Sequence, residues 1–236
     1  MTSPQPSPGD TGGPVALVTG VSSGIGEAIA AKLLADGWNV VGISRRRPAL
    51  KGPALGWIEV DLLDRAAVEK IIGAVGRVDA VVHAAGLQHT AYLGDLDPDY
   101  GDQMWRVHVD VPTRLVNALA ARLPDGGRVV MLGSRTSTGV AGKSQYAATK
   151  AALDGLVRSW AIELAHRQIT VNTVAPGPTE TPMLADRARV ATPPALPRLG
   201  RFIQPGEIAD LVAFLLGPSG RSITGQRLVV CAGASL

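Results

Sequence analysis

Tyr146 and Lys150 stand four residues apart in Tyr146-Ala147-Ala148-Thr149-Lys150, and Ser134 stands twelve residues before Tyr146. On a helix, positions i and i+4 share a face. A phenol with its ordinary pKa of about 10 is a poor proton donor or acceptor at neutral pH. A neighbouring ammonium favours the phenolate, which suits such a tyrosine to exchange a proton with a carbonyl oxygen. A Tyr-x-x-x-Lys pair alone is common on exposed helices. Ser134 raises its meaning: it closes the apolar run Val130-Met131-Leu132-Gly133-Ser134, and ligands sit at the carboxyl ends of strands in α/β sheets. From there its hydroxyl would hydrogen-bond the same oxygen.

A second constellation is Thr19-Gly20-Val21-Ser22-Ser23-Gly24-Ile25-Gly26, between the apolar run Val15–Thr19 and a helical pattern over Ile25–Ala35. Glycines permit a tight turn and close backbone approach to a ligand, and a helix N-terminus offers free N–H groups to a phosphate. A glycine triplet alone is a weak signal, but its place between strand and helix is what a dinucleotide site requires. The next strand, Asn39–Ser44, ends on Ser44-Arg45-Arg46-Arg47, and no Asp or Glu occurs from Gly37 to Ile58. A carboxylate there would bind a ribose 2′-hydroxyl, whereas guanidinium groups chelate a 2′-phosphate. The expected cofactor is therefore NADP(H), with Ser44, Arg45 and Arg46 at its 2′-phosphate. A merely solvated basic loop is the alternative.

These residues need a scaffold of alternating strands and helices. Further strands are expected at Trp57–Val60, Val78–His83, Arg128–Leu132, Thr170–Ala175 and Arg227–Cys231. Asp64 is expected to cap a helix through Ile72. A long helix should run from Pro98 to about Leu123, another from Gln145 to His166, and a last one from Pro205 to Gly217. Seven strands, mostly followed by helices, predict an α/β fold: one Rossmann-type, doubly wound domain whose parallel sheet has helices on both faces. The strands are near-continuous apolar runs, as both-sided burial demands. Residues 1–13 are rich in Ser, Pro, Gly and Thr and read as a disordered leader, so the domain is expected over 14–236.

The chain resembles the short-chain dehydrogenase/reductase family, in particular its 3-oxoacyl-ACP-reductase-like members, from Val15 to about Gly233. The matching elements come in the family's order: Thr19 to Gly26, Asp61 after the third strand, Ala84-Ala85-Gly86 after the fourth, Ser134, Tyr146 with Lys150, and Pro176-Gly177 followed by Thr181. The resemblance implies that Gly20, Ser22, Ser23, Gly24, Ile25 and Gly26 hold the cofactor pyrophosphate. Asp61 and Leu62 would lie at the adenine, and Ala84, Ala85 and Gly86 along the cofactor. Pro176, Gly177, Thr179 and Thr181 would lie against the nicotinamide and its phosphate. Tyr146 would transfer the proton, Lys150 would bind the nicotinamide ribose, and Ser134 would orient the substrate oxygen. Three departures stand out. His83-Ala84 occupies a place where two asparagines are common. His108 occupies the place of an asparagine that helps hold a proton-relay water. Cys231-Ala232-Gly233 replaces Asp-Gly-Gly. A relay member and a packed helix residue are both open readings of His108.

The expected function is NADPH-dependent interconversion of a ketone and a secondary alcohol, on a 3-oxoacyl thioester or a cyclic or small ketone. A catalytically silent nucleotide-binding scaffold or sensor on the same fold is the alternative. Nucleic acid is disfavoured as a partner. Although 18 of 23 basic residues are Arg and the net charge is +3, the only dense basic cluster is local, at Arg45–Arg47. With one cysteine, Cys231, an internal disulfide is excluded and a multi-cysteine metal site is not expected. No membrane-length apolar run and no charged signal region appear, so a cytoplasmic location is expected. Apolar residues on more than one face of the two long helices (Val107, Val111, Leu115; Leu153, Leu156, Val157, Trp160) suggest a homotetramer or homodimer. The substrate loop should span about Met183 to Phe202. Arg187, Arg189, Arg198 and Arg201 are candidates there for an anionic substrate, and Thr136, Val140, Lys143 and Gln145 for the substrate-facing wall.

Overall fold

A computed structural model describes residues 12–186 and 192–236. Seven parallel strands form one sheet in the order β3-β2-β1-β4-β5-β6-β7. They are β1 (Val15–Thr19), β2 (Asn39–Ser44), β3 (Leu55–Glu59), β4 (Ala80–His83), β5 (Arg128–Leu132), β6 (Thr170–Pro176) and β7 (Arg227–Val230). The order reverses between β1 and β4, and a crevice opens there at the strands' carboxyl ends. Helices α1 (Gly24–Ala35) and α6 (Pro205–Leu216) cover one face. Helices α2 (Arg65–Ala74), α3 (Pro98–Trp105), α4 (Val111–Leu119) and α5 (Ser144–Leu164) belong to the other. The strands are apolar throughout because both faces are buried. Leu17, Val81, Val129 and Val171 point into one core layer; Ala16, Val18, Val82, Val130 and Val174 point into the opposite one.

Local chemistry sets the helix ends as expected in two places. Asp64 accepts the Ala67 N–H at the start of α2. Gln204 and Glu207 form a reciprocal capping box ahead of α6, with Pro205 in its first turn. Strand limits shift by one or two residues from expectation: β3 begins at Leu55, β4 at Ala80, and β7 stops before Cys231.

The long helix expected over Pro98–Leu123 is not continuous. A π-helical turn, Arg106–Asp110, separates α3 from α4. Pro112 supplies the reason. It has no N–H to give the His108 carbonyl four residues back, and its ring crowds that carbonyl. The helix widens, and the Val111 N–H bonds the Arg106 carbonyl instead of that of Val107. The turn carries Val107, His108 and Val109, all buried.

Of the residues expected to form a surplus apolar face, Val107, Val111, Leu115, Leu153 and Val157 are buried in the protomer's own core, and Leu156 and Trp160 pack against it. Among the described residues, the exposed large apolar side chains on those helices are Tyr100, Trp105 and Ile162. The leader falls outside the described residues except for Gly12 and Gly13, as do Arg187 and Arg189 of the substrate loop.

Candidate active site

The crevice between β1 and β4 is lined by Gly20, Ser22 to Gly26, Ser44 to Arg46, Asp61, Leu62, Ala84 to Leu87, Val107 and Thr181 to Met183. The glycine turn is shaped as its spacing implies. Gly20 has φ +79°, and a Cβ there would lie 2.9 Å from the Ala85 backbone. Ser23, the N-cap of α1, makes no side-chain capping bond. The first turn of α1 thus presents its N–H groups to the crevice without a side-chain cap.

At the far end, Arg45 and Arg46 are exposed and line the crevice, and neither enters an ion pair among the described residues. Arg47 turns away; its guanidinium carbon lies 5.7 Å from the Trp57 ring centroid. Ser44 is buried and shapes this end from behind. Its hydroxyl donates to the Arg46 carbonyl at 2.7 Å and accepts the Trp57 Nε1–H at 3.0 Å. Its proton is therefore spent on the backbone rather than offered to a ligand.

Ser134 lies just after β5, Tyr146 and Lys150 lie on the first turns of α5, and all three are buried. A Cβ on the crevice-lining Gly86 would stand 3.8 Å from Lys150 Nζ. Lys150 Nζ donates to the Leu132 carbonyl at 2.8 Å and lies 5.8 Å from the Tyr146 ring centroid. Burial pulls the Lys150 ammonium down from 10.5 to about 7. Ser134 Oγ accepts the Thr136 N–H at 3.1 Å and lies 2.9 Å from Thr136 Oγ1. Thr136 thus fixes the Ser134 hydroxyl through both its N–H and its own hydroxyl. Of the expected substrate wall, Gln145 Nε2 is tied to the Asp97 carbonyl at 2.9 Å, and Lys143 is buried ahead of α5. On the same side the rings of His89 and Tyr100 stack 3.8 Å apart. Arg201 is not free for an anion: it forms a two-pronged pair with Glu207 at 2.7 and 2.8 Å. Pro176 and Thr179 are buried at the end of β6 and beyond it, where Thr179 Oγ1 donates to the Gly177 carbonyl.

The sequence model of a family described as Enoyl-(Acyl carrier protein) reductase matches residues 20–235. A 3-oxoacyl-(acyl-carrier-protein) reductase of Vibrio harveyi is 36% identical, with 94% of this chain and 97% of the relative covered. The chain belongs to the short-chain dehydrogenase/reductase family. Its similarity also extends to a cyclic-di-GMP-binding biofilm dispersal mediator protein of Escherichia coli, 33% identical over 90% of this chain and 93% of the relative. A short-chain dehydrogenase from Burkholderia cenocepacia in complex with NADP superposes with a TM-score of 0.82 at 36% identity, covering 94% of this chain and 97% of that one. Members of the family are oxidoreductases that use nicotinamide cofactors. The crevice fits such a group: uncapped N–H groups stand at α1, two unpaired guanidiniums at the end of β2, and the buried Lys150 borders its Gly86.

In this short-chain dehydrogenase/reductase the two histidine departures lie side by side in the interior. His83 Nδ1 is 3.0 Å from Thr19 Oγ1, and His83 Nε2 is 2.9 Å from the Val107 carbonyl. His108 Nε2 accepts the Leu87 N–H at 3.1 Å, and His108 Nδ1 is 2.8 Å from Thr149 Oγ1. No ring nitrogen of either histidine is left over for a relay water. Thr19, Leu87 and Thr149 were not among the expected site residues, and neither was Pro112. Proline inside an apolar helical pattern was the one readable signal.

Proposed function

We propose that the protein is an NADPH-dependent carbonyl reductase, or secondary-alcohol dehydrogenase in the reverse direction, acting on a 3-oxoacyl thioester or another ketone. The observation that carries this reading is the buried set of Ser134, Tyr146 and Lys150, with Lys150 Nζ 3.8 Å from the Cβ position of crevice-lining Gly86, together with Arg45 and Arg46 presented to the same crevice. When bound, the nicotinamide supplies or accepts the hydride. Ser134 donates a hydrogen bond to the substrate oxygen and stabilises the charge that develops there, a role worth about 2.7–4 kcal/mol at a preorganised site. Tyr146 gives its proton to that oxygen, because an alkoxide is too basic to persist. Lys150, held by the Leu132 carbonyl, takes up the ribose and supports reprotonation of Tyr146. Arg45 and Arg46 favour a 2′-phosphate, and Gly20 and Ser22 to Gly26 receive the pyrophosphate at α1. Asp61 and Leu62 flank the adenine; Pro176, Gly177, Thr179 and Thr181 border the nicotinamide side.

The deciding experiment is absorbance loss at the reduced nicotinamide band with a ketone panel that includes 3-oxoacyl thioesters, using NADPH and NADH in parallel. Turnover with NADPH on at least one ketone is expected. Nucleotide binding without turnover on any of them would favour the second reading, a nucleotide-binding sensor, to which the cyclic-di-GMP-binding relative points. We also propose a homotetramer or homodimer, since Trp105 and Ile162 remain exposed on the helical face. Light scattering should give two or four times the 24.4 kDa chain mass, and a monomer at micromolar concentration would refute it.

A further inference from the structure

Every proton around the two buried histidines can be placed by counting donors and acceptors. Thr19 Oγ1 accepts the N–H groups of Ala84 at 3.1 Å and Ala85 at 3.0 Å. Both lone pairs of that hydroxyl are then engaged, so its proton goes to His83 Nδ1. The His83 proton must sit on Nε2, where it donates to the Val107 carbonyl. That carbonyl is available because of the π turn: the Val111 N–H is taken by Arg106, and the residue five positions after Val107 is Pro112.

His108 is the mirror case. Its Nε2 accepts the Leu87 N–H, so its proton sits on Nδ1 and donates to Thr149 Oγ1. The Thr149 hydroxyl in turn donates to the Tyr146 carbonyl at 2.8 Å. The two chains run, respectively, from the Ala84–Ala85 amides to the π turn and from the Leu87 amide to the turn of α5 that bears Tyr146. Gly86 lies between those amides, and a Cβ on it would stand 3.2 Å from His108 Nε2.

We infer that His83 and His108 are positioning residues: neutral imidazoles of opposite tautomer that lock the Ala84–Leu87 turn, through the π turn, to the catalytic helix α5. Neither ring relays a proton, because each has one donor and one acceptor and both are engaged. The groups facing them are consistent with permanent neutrality. Lys150 lies close to both, each histidine faces the other, and the Tyr146 ring meets His108 edge-on at 5.5 Å between centroids. Burial and the Lys150 charge hold His83 at about 3 and His108 well below the usual imidazole range. The catalytic consequence rests on the reductase reading above; the tautomers do not.

The test combines a spectrum with a variant pair. Imidazole nitrogen NMR of the full-length protein should show His83 protonated on Nε2 and His108 on Nδ1, unchanged from pH 5 to 9. The opposite tautomer at either ring, or titration of either in that range, overturns the inference whether or not the protein turns over a ketone. In the reductase assay, Thr149→Val removes the acceptor for His108 while nearly conserving volume. It should lower kcat by about 10- to 100-fold, the scale of a small misplacement of a catalytic group. The KM for NADPH should change less than about threefold, and Thr149→Ser should restore kcat while the shape of the pH profile stays the same. Wild-type kcat in Thr149→Val, or loss of a limb of its pH profile, overturns the positioning role. A wild-type protein inert toward every ketone would instead sink the reductase reading and leave the spectra to decide this one.

Discussion

The two ends of the site are built on opposite principles. On the α5 side Ser134, Tyr146 and Lys150 are 7, 8 and 4% exposed, and His83 and His108 are fully buried. Buried polar groups are tolerable only when partnered, and each of Ser134, Lys150, His83 and His108 has a named partner: Thr136, Leu132, Thr19 with Val107, and Leu87 with Thr149. At the basic end Arg45, Arg46 and Asp61 are exposed; Ser44, itself held by Trp57, fixes the Arg46 carbonyl, and the Asp61 carboxylate accepts the Leu63 N–H. One end is specified by a network that cannot rearrange without breaking buried bonds. The other is specified by charge that needs only to be near. Substitutions should therefore act on turnover at the first end and on cofactor choice at the second.

The largest expected effect tests the first half of that contrast. Tyr146→Phe deletes one hydroxyl and leaves the ring packed against His108. Turnover should fall by at least about a thousandfold if Tyr146 is the proton donor, since removal of a group central to such chemistry costs on that scale. NADPH affinity, read by fluorescence titration, should stay within about threefold. Near-normal turnover with binding intact would remove Tyr146 from the mechanism.

A smaller effect tests the second half. Arg45→Asp replaces a guanidinium at the crevice with a carboxylate. Loss of a charge-assisted bond costs about 1.5–3 kcal/mol, so NADPH should bind about 10- to 150-fold more weakly while NADH changes little. Tighter binding of NADH than NADPH by the unaltered protein would overturn the cofactor assignment and reduce the cluster to a solvated loop.

The same contrast explains what the sequence made legible. Sheet, helices and crevice were readable because apolar runs, the Gly20–Gly26 spacing and the cap at Asp64 each act locally. Tyr146 and Lys150 were readable because helix geometry alone puts them on one face. The partners were not: Thr19 and His83 are 64 positions apart, and His108 and Thr149 are 41. Only the fold brings them together, and no local pattern announces a tautomer. Apolar residues such as Val111 and Leu153 read equally as a subunit face or a core face, because periodicity cannot tell the two apart; both are buried in the protomer core. The break at Arg106–Asp110 was signalled by Pro112, yet a proline in a helix reads equally as a kink. Arg201 shows the limit for charge: it is a candidate for an anionic substrate, and only the fold reveals its ion pair with Glu207.

The mildest effect separates the buried end from the exposed one by pH. Lys150 is drawn down from 10.5 to about 7 by burial, while an unfolded chain leaves a lysine near its ordinary value of about 10.4. Below about pH 7 the lysine is protonated in both states, and the folded protein bears the full cost of a buried ammonium. Between about 7 and 10.5 the unfolded state holds more protons, so the contribution of Lys150 to stability rises with pH. In nucleotide-free protein the Tm should therefore climb across that window relative to Lys150→Met, in which the charge is gone. Each 1 kcal/mol recovered should appear as about 2–4 °C in a chain of this size. The difference between the two proteins, measured by calorimetry at matched ionic strength, isolates Lys150 from every other group that titrates there. Parallel Tm curves from pH 6 to 10 would mean that Lys150 keeps its proton in the folded state, with its charge solvated or paired beyond the Leu132 carbonyl. The buried end would then be less dry than its partnered groups imply.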